Sequence, residues 1–318
     1  VVDWLLEPSQ PAVRYRALRD LQGRGPEDPE LRAALAAVPR RGWAADLLRS
    51  LHPWGFWEPR PPKNVKEYVD FLYYPKYHAT NWKAIVLSDL GVTSSHPKVR
   101  ALSERFFQFK LALSSPYNYY HEEVCAAGNT ARLLTRFGYS EDRRVRKLYD
   151  WLVEDQREDG GWNCSQGTPG TLDGWEAMAA FAALPRTQWT GAIEAAVARG
   201  AEFYLERELF HEGASYPPWL RLHYPNHYYY DLLVGLDLLT HLGYAGDRRL
   251  GPALRWLEEK RRPDGTWAID RAHPDLELPK AKMPKNRGTP LQLETPGEPS
   301  KWITLTALRV RKAVDDAT

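Results

Sequence analysis

HEEVCAAGNTARLLTRFGYSEDRRVRKLYDWLVEDQREDGGW (121–162) aligns without a gap on NHYYYDLLVGLDLLTHLGYAGDRRLGPALRWLEEKRRPDGTW (226–267). Gly138 falls on Gly243, Asp142 on Asp247, Trp151 on Trp256, Asp159 on Asp264 and Trp162 on Trp267. Trp57 lies one further period upstream, so a Gly-x-Trp step recurs every 105 residues. Such self-similarity marks a repeat architecture, in which one supersecondary unit is used several times. Within the unit, an apolar stretch at helical spacing ends on Gly138 or Gly243, which suits a helix C-terminus. Asp142 and Asp247 then stand where a second helix needs an N-cap. Asp159-Gly160 and Asp264-Gly265 stop that helix in a tight turn. The unit is a helical hairpin of roughly 40–50 residues, in the range of helical repeats.

Working outward, the 105-residue period holds two hairpins. DGWEAMAAFAAL (173–184) with 190–206 gives a further, worn copy, and His78–Leu90 with Pro97–Leu113 another. Pro11–Leu21, Glu30–Val38 and Gly42–Leu51 read as helices before the first Gly-x-Trp, and 301–314 as a closing helix. The first and last helices are both amphipathic, and pairing them closes the array. The predicted fold is all-α, a single α/α toroid of about five to six hairpins. The repeat runs through both halves, which predicts one domain over 1–318. A long Pro- and Lys-rich loop at 268–300 would be a lid or a linker.

Composition narrows the function classes. The formal charge is +2, and no Lys/Arg block forms a nucleic-acid stripe. No apolar run reaches membrane-spanning length, and no signal peptide precedes the first helix. Two cysteines, Cys125 and Cys164, make no disulfide framework, so a cytoplasmic protein with reduced thiols is expected. Transient membrane contact stays open, and oligomeric state is not readable. Thirteen Trp and seventeen Tyr against nine Phe suit a cavity that is apolar with polar edges.

QREDGGWNC (156–164) resembles the QW motif, QxxDGxW, of squalene and oxidosqualene cyclases. RRPDGTW (261–267) is a second copy with Arg261 in place of Gln, and HPWGFW (52–57) keeps only Gly55 and Trp57. The pattern resembles the prenyltransferase/squalene-cyclase repeat superfamily over nearly the whole chain, in its short single-toroid bacterial form. The resemblance implies an α/α toroid that binds a hydrophobic, isoprenoid-type ligand in a central cavity. If catalytic, it would cyclise or transfer that ligand. The turn motif is a structural staple, so it speaks for fold more than for reaction.

Ligands of such toroids enter near the N-termini of the inner helices. Those stretches here combine aromatic with polar residues: Tyr73 to Trp82 with His78, Tyr117 to Cys125 with Tyr119, His121 and Glu122, Asp173 to Glu176 with Trp175, His223 to Asp231, and Lys301-Trp302. Asp173, His227, Tyr230 and Asp231 are the candidate catalytic residues. Trp82, His78, Tyr119, Glu122, Trp175, Tyr228 and Trp302 are the candidate walls.

Cyclisation started by proton transfer needs an acid held protonated by neighbours. The DxDD motif of the cyclases is absent. LDGW (172–175) and HYYYDLLVGL (227–236) are similar to the zinc-binding segments of protein prenyltransferase β subunits, with Asp173 and His227 in ligand positions. Trp175 stands in place of the ligand Cys, which breaks the three-ligand site. A zinc set would have to be assembled from Cys125, Cys164, Asp173 and His227, and no cofactor is firmly expected. Two alternatives remain. One is a non-catalytic toroid that carries a lipid or recognises a protein partner. The other is a carbohydrate-active (α/α) toroid, which needs facing carboxylates, drawn from Asp173, Glu122 and Asp231.

Overall fold

The computed structural model describes residues 1–73, 77–108, 123–165, 167–212, 216–227, 229–271 and 291–318. The described residues are helical, with only two isolated backbone bridges and no strand. Their contacts sort into two compact units. The first comprises Val1–Phe109, His223–His227 and Arg262–Arg309, and the second Lys110–Leu222, Tyr228–Arg261 and Val310–Thr318.

The second unit is a row of hairpins. Val124–Leu134 pairs with Arg143–Glu154, Glu176–Ala183 with Gly191–Glu206, and Leu232–Leu239 with Gly251–Glu259. The first member of each pair packs on its counterparts: Val124–Leu134 lies on Glu176–Ala183, which meets Leu232–Leu239. Val124–Leu134 is buried at every position but Cys125, as an inner-layer helix must be. Arg143–Glu154 buries one stripe, Val145, Leu148, Tyr149 and Leu152, as an outer-layer helix should.

Gly138 and Gly243 sit at φ 103° and 102°, ending the inner helices in the left-handed region that only glycine adopts without strain. Asp142 and Asp247 accept from Arg144 N at 2.8 Å and Arg249 N at 2.9 Å, the expected caps. Asp142→Ala should therefore lose about 1 kcal/mol. A urea midpoint indistinguishable from wild type would contradict the cap.

The Gly-x-Trp turn is a staple. Trp162 Nε1 donates to Leu152 O at 2.8 Å, and Trp57 Nε1 to Leu47 O at 3.1 Å, each ten residues back. Gln156 Nε2 donates to Gly160 O and to Ala196 O, both at 2.8 Å, tying the turn to the next outer helix. Past each turn, a later residue bonds back to the tryptophan carbonyl. Thr171 N donates to Trp162 O at 2.9 Å, and Ser300 N to Trp267 O at 2.8 Å. The described ends of the 268–300 segment are thus pinned in the same way as those of 163–170. Residues 272–290 of it lie outside the described residues.

In the first unit the opening and closing helices pair, as the sequence predicts. Leu305 joins Leu5, Val13 and Ala17 in one buried cluster, with Trp4, Trp43 and Trp302 against it. Lys301 Nζ pairs with Glu7 Oε2 at 2.8 Å and lies 4.5 Å from the Trp4 ring centre. The stretch from Tyr73 to Trp82 corrects the sequence reading. Tyr73 closes a helix, Val65–Tyr73, that the sequence did not reveal, and the next helix begins only at Thr80. Pro75 follows Tyr73 in sequence and has no N–H to continue a helix. No helix among the described residues is long and apolar enough to cross a membrane.

Candidate functional site

Two side-chain clusters hold the sequence-predicted residues, one in each unit. In the first unit, His227 stacks on Tyr77 with centroids 5.8 Å apart and meets Trp82 edge-on at 5.6 Å. Tyr73 lies 5.2 Å from Trp82, whose Nε1 donates to Tyr73 O at 3.1 Å. Tyr77 and His227 both hold positive φ, 70° and 51°, while fully buried. Non-glycine residues in that region carry strain that surrounding packing must maintain. Asn81, also buried, has a side-chain oxygen with no hydrogen-bond partner. His78 is exposed, and half-buried Trp302 stacks on Tyr224 at 4.5 Å.

The second unit brings together Asp173, Trp175, Tyr230 and Asp231. The segment Leu172–Gly174 starts the inner helix Glu176–Ala183, and Thr171 accepts from Asp173 N. Asp173 Oδ1 accepts from Trp219 Nε1 at 2.9 Å. Trp219 meets Tyr230 edge-on at 5.9 Å on one side and Tyr216 at 5.5 Å on the other. Tyr216 is 44% exposed, so an aromatic path runs from the surface inward to Asp173. Tyr230 donates to Leu209 O and Tyr204 to Leu172 O, each at 2.9 Å. Burial first, then Tyr230 and carboxylates for Tyr204 and nearby carboxylates for Tyr230, push both phenols well above their ordinary range, so they act as fixed donors. Asp231 is buried and caps the helix Leu232–Leu239 through Val234 N at 2.9 Å.

Sequence reasoning missed the most unusual group of this cluster, Glu176. Its side chain is fully buried, and no other described residue donates a hydrogen bond to its oxygens. Desolvation pushes its pKa well above the usual carboxylate range. The charges of Cys164 and Asp173 add to the rise, and Arg132 works against it. Arg132, nearly buried, lies 5.1 Å from the Trp175 ring centre. Gly128 of the neighbouring helix makes room, since a Cβ there would come within 2.6 Å of the Glu176 backbone. Glu176 follows Asp173 by one helical turn, a spacing that was legible. Its burial was not.

Of the zinc set, Cys125 has its thiol pushed well above the ordinary range by the neighbouring Cys164 and by burial. Among the described residues no group of three or more His, Cys, Asp or Glu side chains is placed to hold a metal ion. Tyr119, Glu122 and Tyr228 lie outside the described residues, as do Tyr117 and His121.

No protein-family model matches the chain, and no curated protein matches it in sequence. A solved structure described as a polysaccharide lyase is similar in fold, with a TM-score of 0.53 and 13% identity. The match covers 98% of this chain and 90% of that one. The fold is therefore all-α, of the α/α-toroid class, as the repeat predicts. No family model supports the terpene-cyclase group specifically.

Proposed function

We propose that this protein binds and cleaves a polysaccharide, with Asp173 as the carboxylate that meets the sugar and Tyr216, backed by the buried Trp219, as its platform. The observation that carries this reading is the exposed Tyr216 ring set against Trp219, whose indole N–H is anchored on Asp173. Sugar rings pair an apolar face with a hydroxyl rim, so an aromatic face beside a fixed carboxylate complements them. The lyase with the same fold supports carbohydrate over an isoprenoid. An isoprenoid would gain nothing from a carboxylate at the inner end of the aromatic path.

The two carboxyl groups have divergent environments. Asp173 is half-buried and accepts from an indole, which suits the ionised form. Glu176 is enclosed, and its burial raises its pKa and so favours the protonated form. Splitting a pair of carboxyl groups in this way assigns acid and base roles in glycosidic chemistry. Asp173 would exchange the proton with substrate. Glu176, out of reach, would position it by withholding a second negative charge.

Tyr216→Ala tests the platform. It should weaken binding of a polysaccharide that wild type retains in an affinity gel by about tenfold, roughly 1.4 kcal/mol. Unchanged retention would remove Tyr216 from the site. If no polysaccharide of neutral, uronate or sulfated type is retained by wild type, the reading fails.

A further inference from the structure

The turn that carries Asp173 is held by a side chain that the proposed chemistry leaves unused, Glu212. Its Oε2 accepts from Thr171 Oγ1 and from Leu172 N, each at 2.9 Å. Thr171 has one hydroxyl proton and gives it to Glu212, so its lone pairs are left for Asp173 N, which donates to Oγ1 at 3.3 Å. Gly174 N donates to Thr171 O at 2.9 Å, so every backbone amide from Leu172 to Gly174 is engaged. Tyr204 fixes the same turn through Leu172 O. Glu212 lies 41 residues from Thr171, so the hold is tertiary and not part of the turn itself.

The same device recurs at the start of the closing helix. Glu294 accepts from Ser300 Oγ at 2.6 Å and from Lys301 N at 2.7 Å. Thr171 and Ser300 are also the residues that bond back to the tryptophan carbonyls. What sets Glu212 apart is the residue its turn presents, Asp173, whose Oδ1 accepts from Trp219.

We propose that Glu212 is a positioning residue for Asp173, an inference that rests on Asp173 as the reacting carboxylate. The clamp fixes the Asp173 backbone while the indole fixes its oxygen. Without Glu212, the Thr171 hydroxyl is free to rotate, Leu172 N loses its acceptor, and the turn can carry Asp173 away from the sugar. A displacement of about 1 Å at a reacting group costs on the order of 10²-fold in rate. Substrate affinity resides in the Tyr216 ring and survives.

The test compares full-length variants with wild type by hydrogen exchange without substrate, and by kinetics on whichever of a neutral, a uronate-containing and a sulfated polysaccharide wild type cleaves. Glu212→Ala should speed exchange of the Leu172 amide and the Trp219 indole N–H by about tenfold, while the Arg143–Glu154 amides keep wild-type rates. Its kcat should fall about 10–100-fold, with KM within about twofold. Glutamine offers the same acceptor oxygen, so Glu212→Gln should restore both readings to within about threefold. Thr171→Val removes only the hydroxyl link and should show both changes at smaller size, so the test stands even if Glu212→Ala unfolds. Glu294→Ala makes the matching cut at the other turn and should leave kcat unchanged. Wild-type exchange at Leu172 and Trp219 in both Glu212→Ala and Thr171→Val would overturn the proposal, whatever wild type cleaves. So would a kcat that survives Glu212→Ala, a loss that glutamine fails to restore, or an equal loss in Glu294→Ala. Faster exchange in a protein that cleaves none of the three polymers would instead overturn the polysaccharide reading and leave Glu212 as the hold on this turn.

Discussion

Trp162→Ala is expected to lose about 3–5 kcal/mol of folding stability, the range for truncating a buried large aromatic. The ring is fully buried and lies 6.1 Å, centre to centre, from Phe181. Its far edge lies over Gly200, where a Cβ would come within 2.9 Å of the indole. A glycine at that contact has no side chain to move into the space that truncation leaves. The mutation also orphans Leu152 O, which the indole N–H satisfies at the end of an outer helix. Trp57 makes the equivalent bond to Leu47 O but is only half-buried. Trp57→Ala should therefore cost less, even though the two tryptophans are equivalent in sequence. Urea unfolding followed by circular dichroism measures both. A Trp162→Ala loss below about 1 kcal/mol, or an equal loss at the two positions, would contradict the staple.

Glu176→Gln should change how stability depends on pH. The folded pKa of Glu176 lies well above its ordinary value of 4.5. Below that value both states hold the proton, and its burial costs nothing extra. As pH rises above 4.5 the unfolded chain ionises first, so the folded state binds more protons and stability falls. The fall continues until pH passes the folded pKa, at about 1.4 kcal/mol per pH unit. Glutamine keeps the shape and removes the titration. The variant should thus gain on wild type steadily from pH 5 upward, and match it most closely near pH 4. Glu58 and Glu294, also raised by burial, contribute the same sign in both proteins and cancel in the difference. Parallel stability curves from pH 5 to pH 8 would mean that Glu176 is ionised and paired in the folded protein.

The sequence disclosed the hairpins because their punctuation is chemically specific. Gly138 and Gly243 take a φ that other residues avoid, and Asp142 and Asp247 cap as their spacing requires. The pairing of the first and last helices was also legible, from two amphipathic stripes. Val65–Tyr73 escaped notice because it lies between two turn-rich stretches and matches no copy of the repeat.

The site was less readable, for a physical reason. An acidic residue in the first turn of a helix is favoured by the helix dipole, so Glu176 stood in the Asp173–Glu176 stretch without being singled out. Only its packing against Gly128 and beside Cys164 reveals the buried acid. The effect of Cys164 on the Cys125 thiol likewise depends on how neighbouring hairpins stack, which periodicity leaves open. Trp219 and Tyr216 follow no repeat, so the aromatic path to Asp173 appeared only in the structure. The isoprenoid expectation came from the QW turn. That turn proves to be a staple that ties helices together and carries fold information.

The most direct test of the polysaccharide reading is product analysis. Wild type and Asp173→Asn are incubated with neutral, uronate-containing and sulfated polysaccharides, and chain length and new chain ends are measured. The account predicts that wild type shortens one class, and that Asp173→Asn, still folded, slows this by about 10²–10⁴-fold, the usual contribution of a proton-transferring group. Unsaturated ends would mark elimination, and saturated reducing ends hydrolysis. Unshortened polymer in every class, or full cleavage by Asp173→Asn, would contradict it.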